Sequence, residues 1–362
     1  MKTNSFAAGP STVIGIDLGD KKHAFCVLDQ AGKILREDSI PNRASTLIEL
    51  AQDHAGSTIA MEAGTHSPWI SRLLESHGLE VLVANPRKLR AIYRNERKCD
   101  RVDAEMLARM ARFDPSLLYP ICHSSEQAQR DLLAIKMRDT LVRQRVRAIA
   151  SLRDMLKSLG VRLPSANSAA FSARVRAHLE GGDELGVLEI AEPLLTAIDA
   201  TSQQIQELDK SIHRSASLHP AATRLQQING VGPITALSFV LCVEDPERFA
   251  LARQIGPWLG MVPKRDQSGG ADPELPISKC GNGYLRKLLV QCAQYIMGPF
   301  GPDCDLRRYG MRIAERGGKK AKRKAVVAVA RKLAVLMLTL WKNQSDYVAL
   351  MNSQTPGGMA AS

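Results

Sequence analysis

Four carboxylates occupy positions where acids are hard to place without a purpose. Val13-Ile14-Gly15-Ile16 is a continuous apolar run that ends on Asp17, and Thr58-Ile59-Ala60-Met61 ends on Glu62. An apolar, β-branched run bounded by glycine reads as a strand buried on both faces, so each acid sits at a strand tip. Burying a carboxylate is costly unless it meets a cation or a full set of donors. Farther on, Asp100 and Asp103 stand three residues apart in Cys99-Asp100-Arg101-Val102-Asp103-Ala104-Glu105, a helical pattern that puts both side chains on one face. Like charges at that spacing repel unless a cation lies between them. Oxygen-only ligands suit Mg²⁺ or Mn²⁺ rather than zinc. Two plainer readings also stand on spacing alone: Asp17 as a turn cap, and 97–109 as a solvated helix mixing Arg97, Lys98, Arg101 and Arg109 with its acids.

A fifth residue of chemical interest is Ser268, between Gln267 and the pair Gly269-Gly270. Backbone without Cβ atoms can approach a phosphodiester closely there. A serine hydroxyl is a weak nucleophile until a base or a metal activates it, and no histidine lies near it in sequence. Ser-Gly-Gly is also an ordinary flexible loop. Ser278 is a nearby alternative, in a more strand-like run before Lys279.

The elements that must position these groups can be read in order. Residues 23–28 and 33–40, joined at Ala31-Gly32, extend the Asp17 strand into a three-stranded meander. Residues 46–55 read as a helix and 58–62 as a fourth strand. Ser67-Pro68 opens another helix that Gly78 closes, and Leu79 to Val83 is a fifth strand stopped by Asn85-Pro86. Hairpins mixed with β-α-β units predict an α/β layered domain with a mixed sheet.

Residues 126–159 form an amphipathic helix with a basic face that includes Arg130, Lys136, Arg143 and Arg147. Residues 160–186, rich in Ser, Ala and Gly, read as a linker. Leu194, Ile198, Thr201, Ile205, Leu208 and Ile212 then alternate at spacings of four and three, a heptad seam that could pair within the chain or with a second subunit. Ile228-Asn229-Gly230-Val231-Gly232-Pro233-Ile234-Thr235-Ala236 has the form of a helix-hairpin-helix turn, whose backbone N–H groups could approach a phosphate around Gly230 and Gly232; an ordinary helix-helix turn is the alternative. The block Lys319, Lys320, Lys322, Arg323 and Lys324 reads as a phosphate-contacting loop ahead of an apolar helix over 325–341. Residues past Asn352 read as a disordered tail.

At 362 residues the chain is long enough for two or more domains. Its 49 Lys and Arg against 37 Asp and Glu, a net charge of +12, point to a polyanionic partner such as nucleic acid. The 7 cysteines form no C-x-x-C pair, which suits a reducing compartment and argues against disulfides and structural zinc. No export signal precedes the first strand, and the apolar segment 325–341 is interrupted by Arg331 and Lys332, so it reads as a core helix rather than a membrane span.

The motifs V-I-G-I-D-L-G, M-E-A-G and K-C-D-R-V-D-A-E-M-L-A, taken together and in that order, resemble the Asp-Glu-Asp-Asp signature of the DEDD transposases of the insertion-sequence-110 family, also called bridge-RNA-guided recombinases. The later segments 244–249, 258–263, 266–270 and 277–289 resemble the C-terminal domain of the same family. The resemblance covers about residues 11–345, and it implies a RuvC-like domain of RNase H fold in which Asp17, Glu62, Asp100 and Asp103 bind Mg²⁺ or Mn²⁺. Cys99 departs from the threonine usual there, which puts the metal preference in question. The resemblance further implies that Ser268 attacks DNA covalently, that a guide RNA pairs with target and donor DNA, and that a coiled-coil contact builds a dimer or tetramer with a site composed between subunits.

The expected organisation is therefore a RuvC-like metal-binding domain over 11–122, a basic helix, linker and coiled-coil region over 123–218, a mostly helical C-terminal transposase domain over 219–345, and a tail over 346–362. Nucleic acid is expected to meet Gly230, Gly232, Lys264, Arg265, Gly269, Gly270, Lys279, Arg286, Lys319, Lys320, Lys322 and Arg323. The expected function is Mg²⁺-dependent DNA cleavage and rejoining through a serine–DNA intermediate, in the bacterial cytoplasm, on the nucleoid when active, with no membrane partner. Two rivals remain at this level: a metal-only resolvase-like nuclease in which water attacks, and a nucleic-acid-binding protein without chemistry.

Overall fold

The computed structural model describes residues 12–89, 99–181, 186–265, 267 and 275–354. The chain divides into two compact units, Met1–Ser124 and Ser125–Ser362.

The first unit is built on five strands: β1 (Thr12–Asp17), β2 (Lys22–Asp29), β3 (Ile34–Pro41), β4 (Thr58–Glu62) and β5 (Glu80–Ala84). Helices α1 (Ala44–Asp53), α2 (Ser67–Ser76), the short α3 (Pro86–Leu89) and α4 (Asp100–Phe113) complete it. The sheet order is β3-β2-β1-β4-β5; β1, β4 and β5 run parallel, and β2 is antiparallel to both β1 and β3. The expected mixed α/β sheet is thus present, and each strand lies within about a residue of its expected place.

Period-two alternation divides the sheet between two faces. Ile14, Ile16, Phe25, Val27, Ile59 and Met61 pack on Leu47 and Leu50 of α1 and Ile70 and Leu74 of α2. On the other face Val13, Ala60 and Ala84 meet Leu107, Met110 and Ala111 of α4, and Cys26 and Leu28 meet Ala104 and Ala108. Small residues dominate this second face, so α4 comes unusually near. A Cβ on Gly15 would overlap the Ala104 carbonyl oxygen and reach 2.5 Å from the Ala108 nitrogen.

The second unit is helical: α5 (Glu126–Ser158), α6 (Phe171–Glu180), α7 (Val187–Leu218), α8 (Pro220–Leu225), α9 (Pro233–Val243), α10 (Ile255–Trp258), α11 (Gly283–Met297), α12 (Asp305–Ala314), α13 (Gly318–Asn343) and α14 (Met351–Gln354). Helices α5 and α7 pack antiparallel: Arg138 reaches Asp209 at 2.6 Å, Arg145 reaches Ser202 at 3.1 Å, and Leu152 and Leu195 share one cluster. Of the heptad residues, Ile198, Ile205 and Ile212 are buried in this intrachain seam, while Leu194, Thr201 and Leu208 stay half-buried.

Three expectations need correction. The linker 160–186 contains α6, because Phe171, Val175 and Leu179 recur every four residues among Ser, Ala and Arg and bury one stripe. The basic block is no loop: α13 begins at Gly318, so Lys319 to Lys324 form its first turns. Residues 346–352, expected in the tail domain, are tied to the helices: Tyr347 N–H donates to Gln227 Oε1 at 2.9 Å, Ala349 O accepts from Asp305 N–H at 2.8 Å, and Asn352 N–H donates to Asp305 Oδ2 at 2.9 Å. The core of this part gathers α8, α9, α11 and the middle of α13 around Phe239, Leu289, Val329, Leu333 and Met337.

Candidate active-site residues

Asp17 and Glu62 are the last residues of β1 and β4. Ile16 pairs with Met61 in the parallel register, so the two acids stand side by side at neighbouring strand ends. By strand alternation Asp17 shares its face with Val13 and Gly15, and Glu62 shares its face with Ala60. That is the face α4 covers. Along β1, Val13 clusters with Leu107, Met110 and Ala111 while Gly15 lies against Ala104 and Ala108, so α4 runs antiparallel to β1. Its first turn, with Asp100 and Asp103, therefore comes to the sheet end where Asp17 lies.

Of the cations that the plainer reading would pair with these acids, Arg97 and Lys98 lie outside the described residues, and Arg101 and Arg109 are engaged elsewhere. Arg101 binds Glu37 of β3, and Arg109 binds Glu105 at 2.7 Å. Among the described residues neither Asp100 nor Asp103 makes an ion pair; Asp100 is exposed and Asp103 half-buried. Acids in the first turn also suit the positive end of the helix dipole. Cys99, the N-cap, is exposed and makes no capping bond.

The loops that follow both strand-end acids are tied down. His23 Nδ1 accepts from Gly19 N–H at 3.3 Å, and Asn42 Nδ2 donates to Gly19 O at 3.4 Å and Asp20 O at 3.2 Å. Burial lowers the His23 pKa from its ordinary value, outweighing the opposing effect of the Asn42 side chain. After β4, Ser67 Oγ accepts from Gly64 N–H at 3.0 Å and contacts His123 Nε2 at 2.9 Å. His66 then bridges the two loops: its Nε2 lies 3.0 Å from Asp20 Oδ1, and its Nδ1 accepts from Trp69 Nε1–H at 3.4 Å. The sequence reading missed this His66–Asp20 bridge, since neither residue stands in a recognisable spacing.

The donor set is all carboxylate oxygen at one end of a sheet, which fits a hard divalent cation. Among the described residues no three such groups stand close enough to hold an ion as they are.

In the second unit, Gly230 (φ 92°) turns the chain between α8 and α9, and Gly232 caps α9 ahead of Pro233. A Cβ on Gly230 would come 2.7 Å from Tyr295. The two segments 258–263 and 277–289 are brought together. Pro263 and Ile277 form an antiparallel bridge, flanked by Lys264 N–H to Pro276 O at 2.9 Å and Ser278 N–H to Val262 O at 2.8 Å. Gly260 (φ 67°) and Gly281 (φ 86°) let this ladder press on the backbone of Cys280 and Trp258. Arg286 Nη1 donates to Leu259 O at 2.7 Å and Cys280 O at 3.3 Å, so it holds the base of the ladder. Lys264, Arg265 and Lys279 are exposed, as are Lys319, Lys320, Lys322 and Arg323. Ser268, Gly269 and Gly270 lie outside the described residues. Among those described, no helix is long and apolar enough to cross a membrane.

A mixed sheet in the order β3-β2-β1-β4-β5, with acids at the tips of its two central parallel strands, is consistent with the RNase H-like class of α/β domain. Residues 14–160 match the model of the IS110 DEDD transposases, described as "Transposase", and residues 222–305 match that of the "Transposase IS116/IS110/IS902 family". The chain is similar to the transposase for insertion sequence element IS1111A of Coxiella burnetii, 26% identical with 92% of this chain and 91% of the relative covered. It is also similar to the transposase for insertion sequence element IS1328 of Yersinia enterocolitica, 28% identical with 79% and 84% covered. The chain belongs to the IS110 family of insertion-sequence transposases and is a DNA transposase.

Proposed function

We propose that this transposase cuts and rejoins DNA through two half-sites: the carboxylates Asp17, Glu62, Asp100 and Asp103, which hold Mg²⁺ (or Mn²⁺), and Ser268, which supplies the nucleophile. The observation that carries the reading is the strand register, with Ile16 beside Met61 and α4 on the same face. It lends the two strand-end acids a common direction toward α4. A divalent ion, when bound, stabilises the charge that gathers on the scissile phosphate and the leaving oxygen. The Ser268 Oγ attacks phosphorus, a serine–phosphate ester forms, and the broken P–O bond releases a deoxyribose hydroxyl. The reverse attack by a hydroxyl of another strand rejoins DNA and frees the serine.

In this reading residues 11–122 are the metal-binding domain, 123–218 the basic and coiled-coil region, 219–345 the serine-bearing domain and 346–362 the terminal segment. The Gly230–Gly232 turn serves as a helix-hairpin-helix contact. The exposed cations Lys264, Arg265, Lys279, Lys319, Lys320, Lys322 and Arg323 meet phosphates, and Arg286 supports the ladder beside them. A guide RNA encoded by the element selects target and donor DNA, and the protein works as a dimer or tetramer in the cytoplasm, at the nucleoid.

The test is to denature the reaction of protein, element-junction DNA, element-encoded RNA and Mg²⁺, and map any protein–DNA adduct by mass spectrometry. The expected adduct lies on the peptide containing Ser268 and is lost in Ser268→Ala. An adduct on Ser278 or any other residue, or cleavage with hydrolysed ends and no adduct, overturns the serine assignment.

A further inference from the structure

The second unit contains a groove of about 1860 Å³ between α12, α13 and the ladder residues Pro263, Leu275 and Ile277. Small-molecule sites seldom exceed roughly 1,000 Å³, so the size suits a stretch of polymer. One wall is cationic: Arg312 from α12, and Lys320, Arg323 and Arg331 at helical spacing along α13. Among the described residues none of these four makes an ion pair. Of the four acids that share the groove, Asp303 is taken up by Arg308 at 2.6 Å, Asp305 by the backbone of Asn352, and Asp346 by Gln227 at 3.1 Å and Arg224 at 3.9 Å, leaving Glu315 against the cations.

A second observation points the same way. The first turns of α13 carry Lys319, Lys320, Lys322, Arg323 and Lys324, with no acid in the first turn and no capping side chain at Gly317. Cations at a helix N-terminus oppose the macrodipole, so this end is locally unfavourable until an anion arrives. Farther along, the groove carries Val335 and Leu336 of α13 and two half-buried rings, Tyr347 and Tyr309, the latter with Lys332 Nζ 4.0 Å over its face. A duplex keeps its bases stacked inside and would leave that wall unused. An unpaired strand presents phosphates to one wall and base faces to the other.

We propose that this groove holds one unpaired DNA strand, with Arg312 and Arg331 gripping its phosphates and the Tyr309–Tyr347 end receiving its bases. The ladder that forms the third wall flanks, in sequence, the segment carrying Ser268. The choice of DNA rests on the strand-cleavage reading given above.

The test uses the full chain in chelator, where no cleavage is needed, and follows the anisotropy of a fluorescent DNA strand of mixed sequence as salt is raised. The same-sequence RNA strand and DNA duplex are the comparisons. The wild type is expected to bind the DNA strand more tightly than either. Arg312→Ala/Arg331→Ala is expected to weaken binding about 10-fold and flatten the log–log salt slope by about 1.4, at about 0.7 for each lost phosphate contact. Because Arg331 lies along Gly256, Lys320→Glu/Arg323→Glu on exposed turns is the second variant, with the same direction expected. Unchanged affinity and slope in both variants overturns the groove assignment, and so does equal or tighter binding of RNA or duplex. Strand binding that behaves as expected while no serine adduct forms keeps the groove and sinks the serine mechanism. An adduct that forms with binding unchanged in both variants does the reverse.

Discussion

The backbone of Gly15 lies directly against the backbone of Ala104, where a side chain on β1 would otherwise stand. That contact sets how closely α4 approaches the sheet, and hence where the turn bearing Asp100 and Asp103 falls relative to Asp17.

Gly15→Ala forces β1 and α4 apart. The expected cost is about 1–3 kcal/mol, the usual range for overpacking, together with loss of transposition. Gly64→Ala, whose Cβ would meet nothing within 4 Å, is the control for stability. A Gly15→Ala protein with wild-type melting and wild-type transposition would show that the close approach does not matter.

Asp17→Asn, Glu62→Gln, Asp100→Asn and Asp103→Asn are each expected to reduce transposition at least roughly 10³-fold, since metal-borne charge stabilisation is worth several kcal/mol. For Asp100→Asn and Asp103→Asn stability should stay within about 1 kcal/mol of wild type, because the isosteres exchange like-charge repulsion for a weaker helix-dipole interaction. Thermal melting and an excision assay in cells read the two effects separately. Full transposition in any one variant removes that residue from the metal set.

His23 gives the first unit an acid limb. Its folded pKa lies below the ordinary value of 6.5, chiefly through burial, so below about pH 6.5 the unfolded chain binds the extra proton and stability falls. The contribution is fully present above that pH and is lost as pH drops toward the folded pKa. His54 and His123 are shifted the same way by burial and add to the slope. His23→Gln keeps an acceptor for Gly19 N–H but cannot titrate in this range, so its melting temperature should fall less between pH 7 and about pH 5. Identical pH profiles for the two proteins would contradict the assignment.

Phe171→Ala tests α6. The ring is fully buried in the cluster with Leu152, Leu156, Val175 and Leu195, and Arg153 lies 5.1 Å over its face. Truncation is expected to destabilise the second unit by about 3–5 kcal/mol in denaturant unfolding. In a linker the same change would be silent.

The sheet was legible because its strands are either doubly buried runs, as at Val13–Ile16, or short segments cut by turn residues, as at Asn85-Pro86. Asp17 and Glu62 could be recognised as strand-tip acids from the same pattern, whereas the register that sets them side by side is a tertiary fact. Helix α6 escaped because three apolar residues at four-residue spacing are diluted by Ser, Ala and Arg. The basic block misled because six consecutive residues rich in like charge resemble a solvated loop, yet the apolar face of α13 carries the helix back through them. Arg312 and Arg331 were visible as charges, but nothing in their spacing shows that separate helices turn them into one groove. The heptad pattern gave a periodicity without its partners, which are α5 and α6 for Ile198 and α5 and α9 for Ile212.

The short ladder between 260–264 and 276–279 has a consequence for how this chain can change. Its ends are fixed by main-chain hydrogen bonds, by two glycines and by Arg286, none of which depends on the side chains that lie between Lys264 and Pro276. The ladder is therefore held from outside the interval that carries Ser268, so under the proposed mechanism Ser268→Ala should remove the adduct while leaving the melting of the helical core unchanged.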